Sequence, residues 1–232
     1  MNPVAIIYNN LGVQYHEKGR WEEALEMFQG SLQLMMHVSN DVIHDDYRQM
    51  VIGSDVRVQR AHQRWQQSLV SESIIMKKAT RKEKGVVDDF VFTKAIKMAD
   101  SGFERYEIKS AVVLFNVALT YHLFSLEVPG QMEHNRHKAH QLYNMSYQIA
   151  SVLHLQGRPE VSLCRLITAL LNNLGKLAHD AGQYKASRSY FAALSGLLNC
   201  LPESENAMVV EERRGLLLNS FILDQPWTAA AA

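Results

Sequence analysis

The sequence predicts an all-α protein built from paired helices stacked into a solenoid, and three observations carry that prediction. The stretch Tyr8–Ser31 holds a large residue at Tyr8, then Leu11-Gly12, Tyr15, a turn at Gly19, and Ala24 four residues before Phe28. That order belongs to a helix–turn–helix unit about 34 residues long. The pattern recurs at Leu114-x₂-Val117-Ala118-x₂-Tyr121 with Ala139 and Tyr143, and again at Leu171-x₂-Leu174-Gly175-x₂-Ala178 with Ser187 and Phe191. The step from the first small residue to the second is identical in the outer copies, Gly12 to Ala24 and Gly175 to Ser187. One such unit cannot bury its apolar face alone, so the copies must stack.

The first unit occupies residues 1–38, with helices over Pro3–Lys18 and Arg20–Val38. Asn2-Pro3 supplies a cap and a first-turn proline, and Gly19 supplies the left-handed residue that closes the last turn. Gly12 and Ala24 are small where the helices meet, while Tyr8, Leu11, Tyr15 and Phe28 fill the space around them. Ala24, Leu25, Phe28, Leu32, Met35 and Met36 form one apolar stripe, in which the methionines read as core filling.

Residues 39–102 are an insertion outside any copy. An acidic loop leads into Asp55–Lys84, which reads as a loosely amphipathic basic helix. Four arginines and four lysines between Arg57 and Lys84 face only Glu72 and Glu83, a local net charge of +6. Such a run is first a solvated helix or tether, and second a surface for RNA, anionic lipid or an acidic partner. Trp65 alone does not make a stacking platform. Over Val86–Met98 the character changes: Phe90, Phe92, Ile96 and Met98 fall on alternating positions, which predicts an extended arm. The backbone of that arm needs partners, on the chain's own helices or on a strand of another protein.

The second unit spans 103–157, with long helices over Phe103–Glu127 and Gln131–Leu155. Its step from Ala118 to Ala139 is longer than in the other copies, which predicts an insertion in the turn. The third unit spans 158–201, with helices over Glu160–Ala181 and Tyr184–Leu201. Residues 202–223 predict a capping helix, with Val209, Leu216, Leu217 and Phe221 covering the end of the stack. Glu211, Glu212, Arg213 and Arg214 would face solvent. Residues 224–232 read as a loose tail.

Hydrophobic residues make up 47% of the chain, ample for a core, and 24 basic residues balance 24 acidic ones. No global field therefore points towards nucleic acid or an anionic membrane. Cys164 and Cys200 both read as buried free thiols. No apolar run approaches the roughly 20 residues of a membrane span. No signal or transit peptide is visible either, so the expected setting is intracellular and cytoplasmic. With no phosphate-cradling loop, nucleophile elbow or Cys-His motif, no enzyme and no cofactor are expected. His134, His137 and His140 stand on one helix face beside Glu133. Without a cysteine or second carboxylate they read as a solvated helix start, and no metal is expected.

The three copies resemble the tetratricopeptide repeat family, over about 1–38 and 111–199. The asparagine-asparagine-leucine triplets of the outer copies, Asn9–Leu11 and Asn172–Leu174, resemble the peptide-binding adaptors of the kinesin light chain type within it. The resemblance implies first helices that line a concave groove. Asn10, Asn116 and Asn173 share one position there, just before Leu11, Val117 and Leu174, and in such adaptors asparagines there bond the backbone of an extended peptide. An amide offers both donor and acceptor, so a ladder of them holds a main chain whatever its side chains; asparagine here also serves capping within a repeat. His16, His122 and His179 share another position, as half-exposed polar residues or as a pH-tuned or metal-bridged row.

A carboxylate clamp of the family's chaperone-tail binders would fall on Asn9, Val13, Asn116, Ala169 and Asn173. Only Asn116 matches and every cation is missing, so a C-terminal carboxylate would lie unpaired. The remaining groove positions, Ile6, Val112, Phe115, Leu119, Asn172 and Lys176, are mostly apolar. They imply a hydrophobic peptide or helix, with the chain's own 39–102 segment as one candidate. The expected function is a non-catalytic interaction adaptor, or an assembly subunit of a multi-subunit complex. Its rivals are nucleic-acid or anionic-surface binding through 57–84, and a metal protein built on His134, His137 and His140.

Overall fold

The computed structural model describes residues 3–36, 91–99, 106–127, 132–156, 161–200 and 210–224. The acidic loop, the basic segment 57–84 and the tail beyond Asp224 lie outside the described residues. Among those described, the elements are α1 (Pro3–Glu17), α2 (Trp21–Met36), α3 (Tyr106–Glu127), α4 (Met132–Gln156), α5 (Val161–Asp180), α6 (Tyr184–Cys200) and α7 (Val210–Asp224). Residues 91–99 run extended, with no regular strand. The all-α reading of paired helices holds.

The chain divides into two compact units. In its described residues the first holds α1, α2, the arm from Lys94, α3 and α4 as far as Ala139; the second holds Val91–Thr93, the rest of α4, α5, α6 and α7. In the first unit α1 pairs with α2, and α3 packs on both. In the second α5 pairs with α6, and α7 packs on both.

Both hairpins turn in the same way. Gly19 has φ 69° and Gly182 has φ 72°, the left-handed region that a side chain resists. The Gly19 N–H donates to the His16 carbonyl at 3.0 Å and the Arg20 N–H to the Tyr15 carbonyl at 3.0 Å. Gly182 N–H to His179 and Gln183 N–H to Ala178, at 2.9 and 2.8 Å, repeat the closure. These paired bonds satisfy the last carbonyls of each helix.

Small residues sit where the helices meet, for the reason the spacing implies. A methyl added at Gly12 would stand 2.6 Å from the Phe28 ring, and one at Gly175 would stand 2.8 Å from the Phe191 ring. Both rings are fully buried, and each contributes about 1.5–3 kcal/mol by leaving water. The Ser187 hydroxyl bonds the Gly175 carbonyl at 2.9 Å, and in the first unit the Ser31 hydroxyl bonds the Ala5 carbonyl at 2.7 Å. Helix α3 is anchored on α2 by the Tyr106 hydroxyl, which donates to the Met35 carbonyl.

Four expectations need correction. The extra length of the second copy lies in its helices rather than its turn: α3 has 22 residues and α4 has 25, against 15 and 16 in α1 and α2. Continuing a helix satisfies each added backbone group within the helix itself, which a longer loop could not do. Cys200 is exposed; only Cys164 is buried. Arg213 does not simply face solvent, because its Nη2 donates to the Leu198 carbonyl at 2.7 Å, near the end of α6. Finally, α3 is long and apolar enough by length and composition to cross a bilayer, yet 83% of that apolar window is buried inside the protein.

Candidate functional site

In each unit asparagines meet the main chain of the arm segment that belongs to that unit. Asn10 on α1 accepts the Met98 N–H at 2.8 Å through Oδ1, and its Nδ2 donates to the Met98 carbonyl at 2.9 Å. Asn116 on α3 treats Ile96 in the same way, at 2.8 and 2.9 Å. In the second unit Asn173 on α5 holds Phe92, at 2.8 and 3.1 Å. Each amide thus grips the N–H and the C=O of one residue. In an extended chain those two groups leave from the same side, and the same side returns every second residue. Phe92, Ile96 and Met98 share that parity. An asparagine that accepts and donates on one residue imitates the edge of a neighbouring strand.

Each of these amides is itself held. Asn116 Nδ2 also donates to Asn9 Oδ1 at 2.8 Å, and Asn9 Nδ2 donates to Asn10 Oδ1 at 3.2 Å and to the Ile96 carbonyl at 3.1 Å. In the second unit Asn172 Nδ2 donates to Asn173 Oδ1 at 3.0 Å, and Asn219 Nδ2 on α7 donates to Asn172 Oδ1 at 2.9 Å. Asn173 Nδ2 also reaches the Tyr143 hydroxyl at 3.0 Å. Burial pushes that hydroxyl far above the usual tyrosine range, against a smaller lowering by Asn173. It therefore stays a neutral O–H. Asn9, Asn116, Asn172 and Asn173 are fully buried with the arm in place. Without these bonds each amide would be desolvated at a cost of about 1–3 kcal/mol.

The other expected positions divide. Ile6, Val13, Val112, Phe115, Leu119 and Ala169 are all buried. His16 is buried, and its Nδ1 lies 3.0 Å from the Thr120 hydroxyl. That hydroxyl spends its proton on the Asn116 carbonyl at 2.9 Å, so His16 is the donor. His122 is fully buried in α3, so the half-exposed expectation fails at both His16 and His122. His179 stacks edge-on against Tyr184 at 5.4 Å, as His16 does against Trp21 at 5.1 Å. Lys176 is committed to Asp180, with Nζ 2.6 and 2.7 Å from the two carboxylate oxygens. His134 and His137 are exposed and His140 bonds Asn144 within α4. Among the described residues no three His, Cys, Asp or Glu side chains gather as a metal site would.

Along the arm, Val91 and Met98 are buried while Lys94, Lys97 and Ala99 are exposed. Lys97 Nζ stands 3.3 Å from Glu17 Oε1. Reading the sequence missed Asn219, Tyr143 as an amide partner, and the Lys97–Glu17 pair. Asn219 precedes a serine rather than a leucine, so the triplet that marked Asn10 and Asn173 gave no signal for it.

No curated protein and no solved structure matches the chain. Residues 4–35 match the tetratricopeptide repeat family model, so the α1–α2 hairpin that carries Asn9 and Asn10 is a tetratricopeptide repeat.

Proposed function

We propose that this chain is a non-catalytic protein–protein interaction adaptor that holds an extended main chain through buried asparagine amides. Tetratricopeptide repeats generally mediate contacts between proteins, which supports the broader part of the reading. The observation that carries the finer part is the paired gripping of Phe92, Ile96 and Met98 by Asn173, Asn116 and Asn10. The likeness of the triplets to adaptors of the kinesin light chain type points the same way. Amides that bond both N–H and C=O recognise an extended peptide with little regard for its side chains. A partner peptide would take the place of the arm. Because the arm belongs to the same chain, that partner competes with a tethered segment, whose effective concentration is of order mM for a short flexible link and less for a long one.

The test uses the full chain carrying Ile96→Pro, which deletes a donor that seats the arm, and a labelled peptide with the sequence of residues 91–99. Saturable binding is expected in fluorescence anisotropy, lost when Asn116→Ala and Asn173→Ala are added without loss of helical circular dichroism. Binding that survives both substitutions contradicts the reading.

A further inference from the structure

The sequence assigns α7 the role of covering the end of a stack, and for that task an apolar face such as Leu216 suffices. Its buried amide is unexplained by covering alone, because burying Asn219 costs desolvation that a leucine would not incur. The first unit shows what such an amide does. There α3 packs on α1 and α2, and its Asn116 donates to Asn9, which donates to Asn10. In the second unit α7 packs on α5 and α6, and its Asn219 donates to Asn172, which donates to Asn173. Asn172 and Asn173 correspond to Asn9 and Asn10 residue for residue: each pair precedes a leucine and a glycine and ends in the same glycine turn. Asn219 is therefore to α7 what Asn116 is to α3.

We propose that Asn219 is a further main-chain-binding residue, which grips the N–H and C=O of the peptide residue two positions before the one held by Asn173. The step of two comes from the first unit, where Asn10 holds Met98 and Asn116 holds Ile96. The proposal deepens the adaptor reading and rests on it. It fixes the chemistry of the occupant: an extended segment whose main chain continues two residues towards its N-terminus with a free N–H at that place. Proline there is excluded.

The full chain carrying Ile96→Pro and Met98→Pro is titrated with two labelled, N-acetylated peptides, VFTKAIKMA and DFVFTKAIKMA, which copy residues 91–99 and 89–99. The longer peptide is expected to bind about tenfold more tightly, as two added hydrogen bonds allow. Asn219→Ala should abolish that gain, so that the longer peptide loses about tenfold more affinity than the shorter one, beyond any loss common to both from the freed Asn172. N-methylation at the second residue of the longer peptide should abolish it as well, with no change to the protein. A gain that survives Asn219→Ala or N-methylation overturns the proposal. So does an equal weakening of both peptides by Asn219→Ala, which would make Asn219 only a support for Asn172. If neither peptide binds before Asn219 is changed, the adaptor reading itself fails.

Discussion

Glu17 and Asp180 each stand seven residues after a gripping asparagine, Asn10 in the first unit and Asn173 in the second. The first carboxylate meets Lys97, which belongs to the arm; the second meets Lys176, which belongs to its own helix. At the position of Lys176 the first unit has Val13, so no lysine of α1 competes for Glu17. The consequence is a division of labour between two otherwise matching frames. In the first unit one charge of the occupant is sensed, weakly, because the Lys97 and Glu17 side chains are 57% and 56% exposed. In the second the acid is neutralised internally, with side chains only 9% and 17% exposed, and Asn173 grips the main chain of Phe92.

Substitutions can sharpen or break that comparison. The largest effect is expected where the units agree most. Phe28→Ala and Phe191→Ala each empty a fully buried site against a glycine and should cost about 3–5 kcal/mol in urea unfolding. Losses that differ widely would break the equivalence of the hairpins. Next comes the internal pair: Lys176→Met leaves Asp180 without its ammonium and should cost about 2–3 kcal/mol, most of it regained with Asp180→Asn. An unaffected urea midpoint would mean that Asp180 is solvated.

The amides should follow. Asn116→Ala and Asn173→Ala remove two main-chain bonds each and should accelerate exchange at Ile96 and Phe92 respectively by about tenfold or more. Each should act only on its own rung; crossed effects would contradict separate gripping. Tyr143 gives the second unit an alkaline signature. Its hydroxyl is raised from the ordinary 10.0, so the stability it lends is complete below that pH and declines as pH rises above it, because the unfolded chain ionises first. Tyr143→Phe should flatten the fall of the urea midpoint above about pH 10. The smallest effect is expected from Lys97→Ala, within about 0.5 kcal/mol in low salt and absent in 1 M salt.

Much of this fold was legible in the sequence because its determinants are local. Gly12 against Phe28 and Gly175 against Phe191 announce a helix crossing by residue size, and Gly19 and Gly182 announce the turns by conformation. The asparagine positions were legible for the same reason, since Asn10 and Asn173 stand two residues before Gly12 and Gly175, and Asn116 two before Ala118. What the arm does was left open between its own helices and a foreign strand, because alternation states that a segment is extended and not which edge it meets. Asn219 was hidden because it precedes Ser220 rather than a leucine, so its position shows only through the bond to Asn172. The placement of the extra length in α3 and α4 was hidden because spacing counts residues without saying whether they lie in helix or loop.

The central claim is that Asn173, Asn116 and Asn10 hold alternate residues of the arm by their main chain. Amide hydrogen exchange resolved to single residues tests it most directly in the unaltered protein. The N–H groups of Phe92, Ile96 and Met98 should exchange at least about tenfold more slowly than those of Ala95 and Lys97. Equally fast exchange along the whole of residues 91–99 would contradict it.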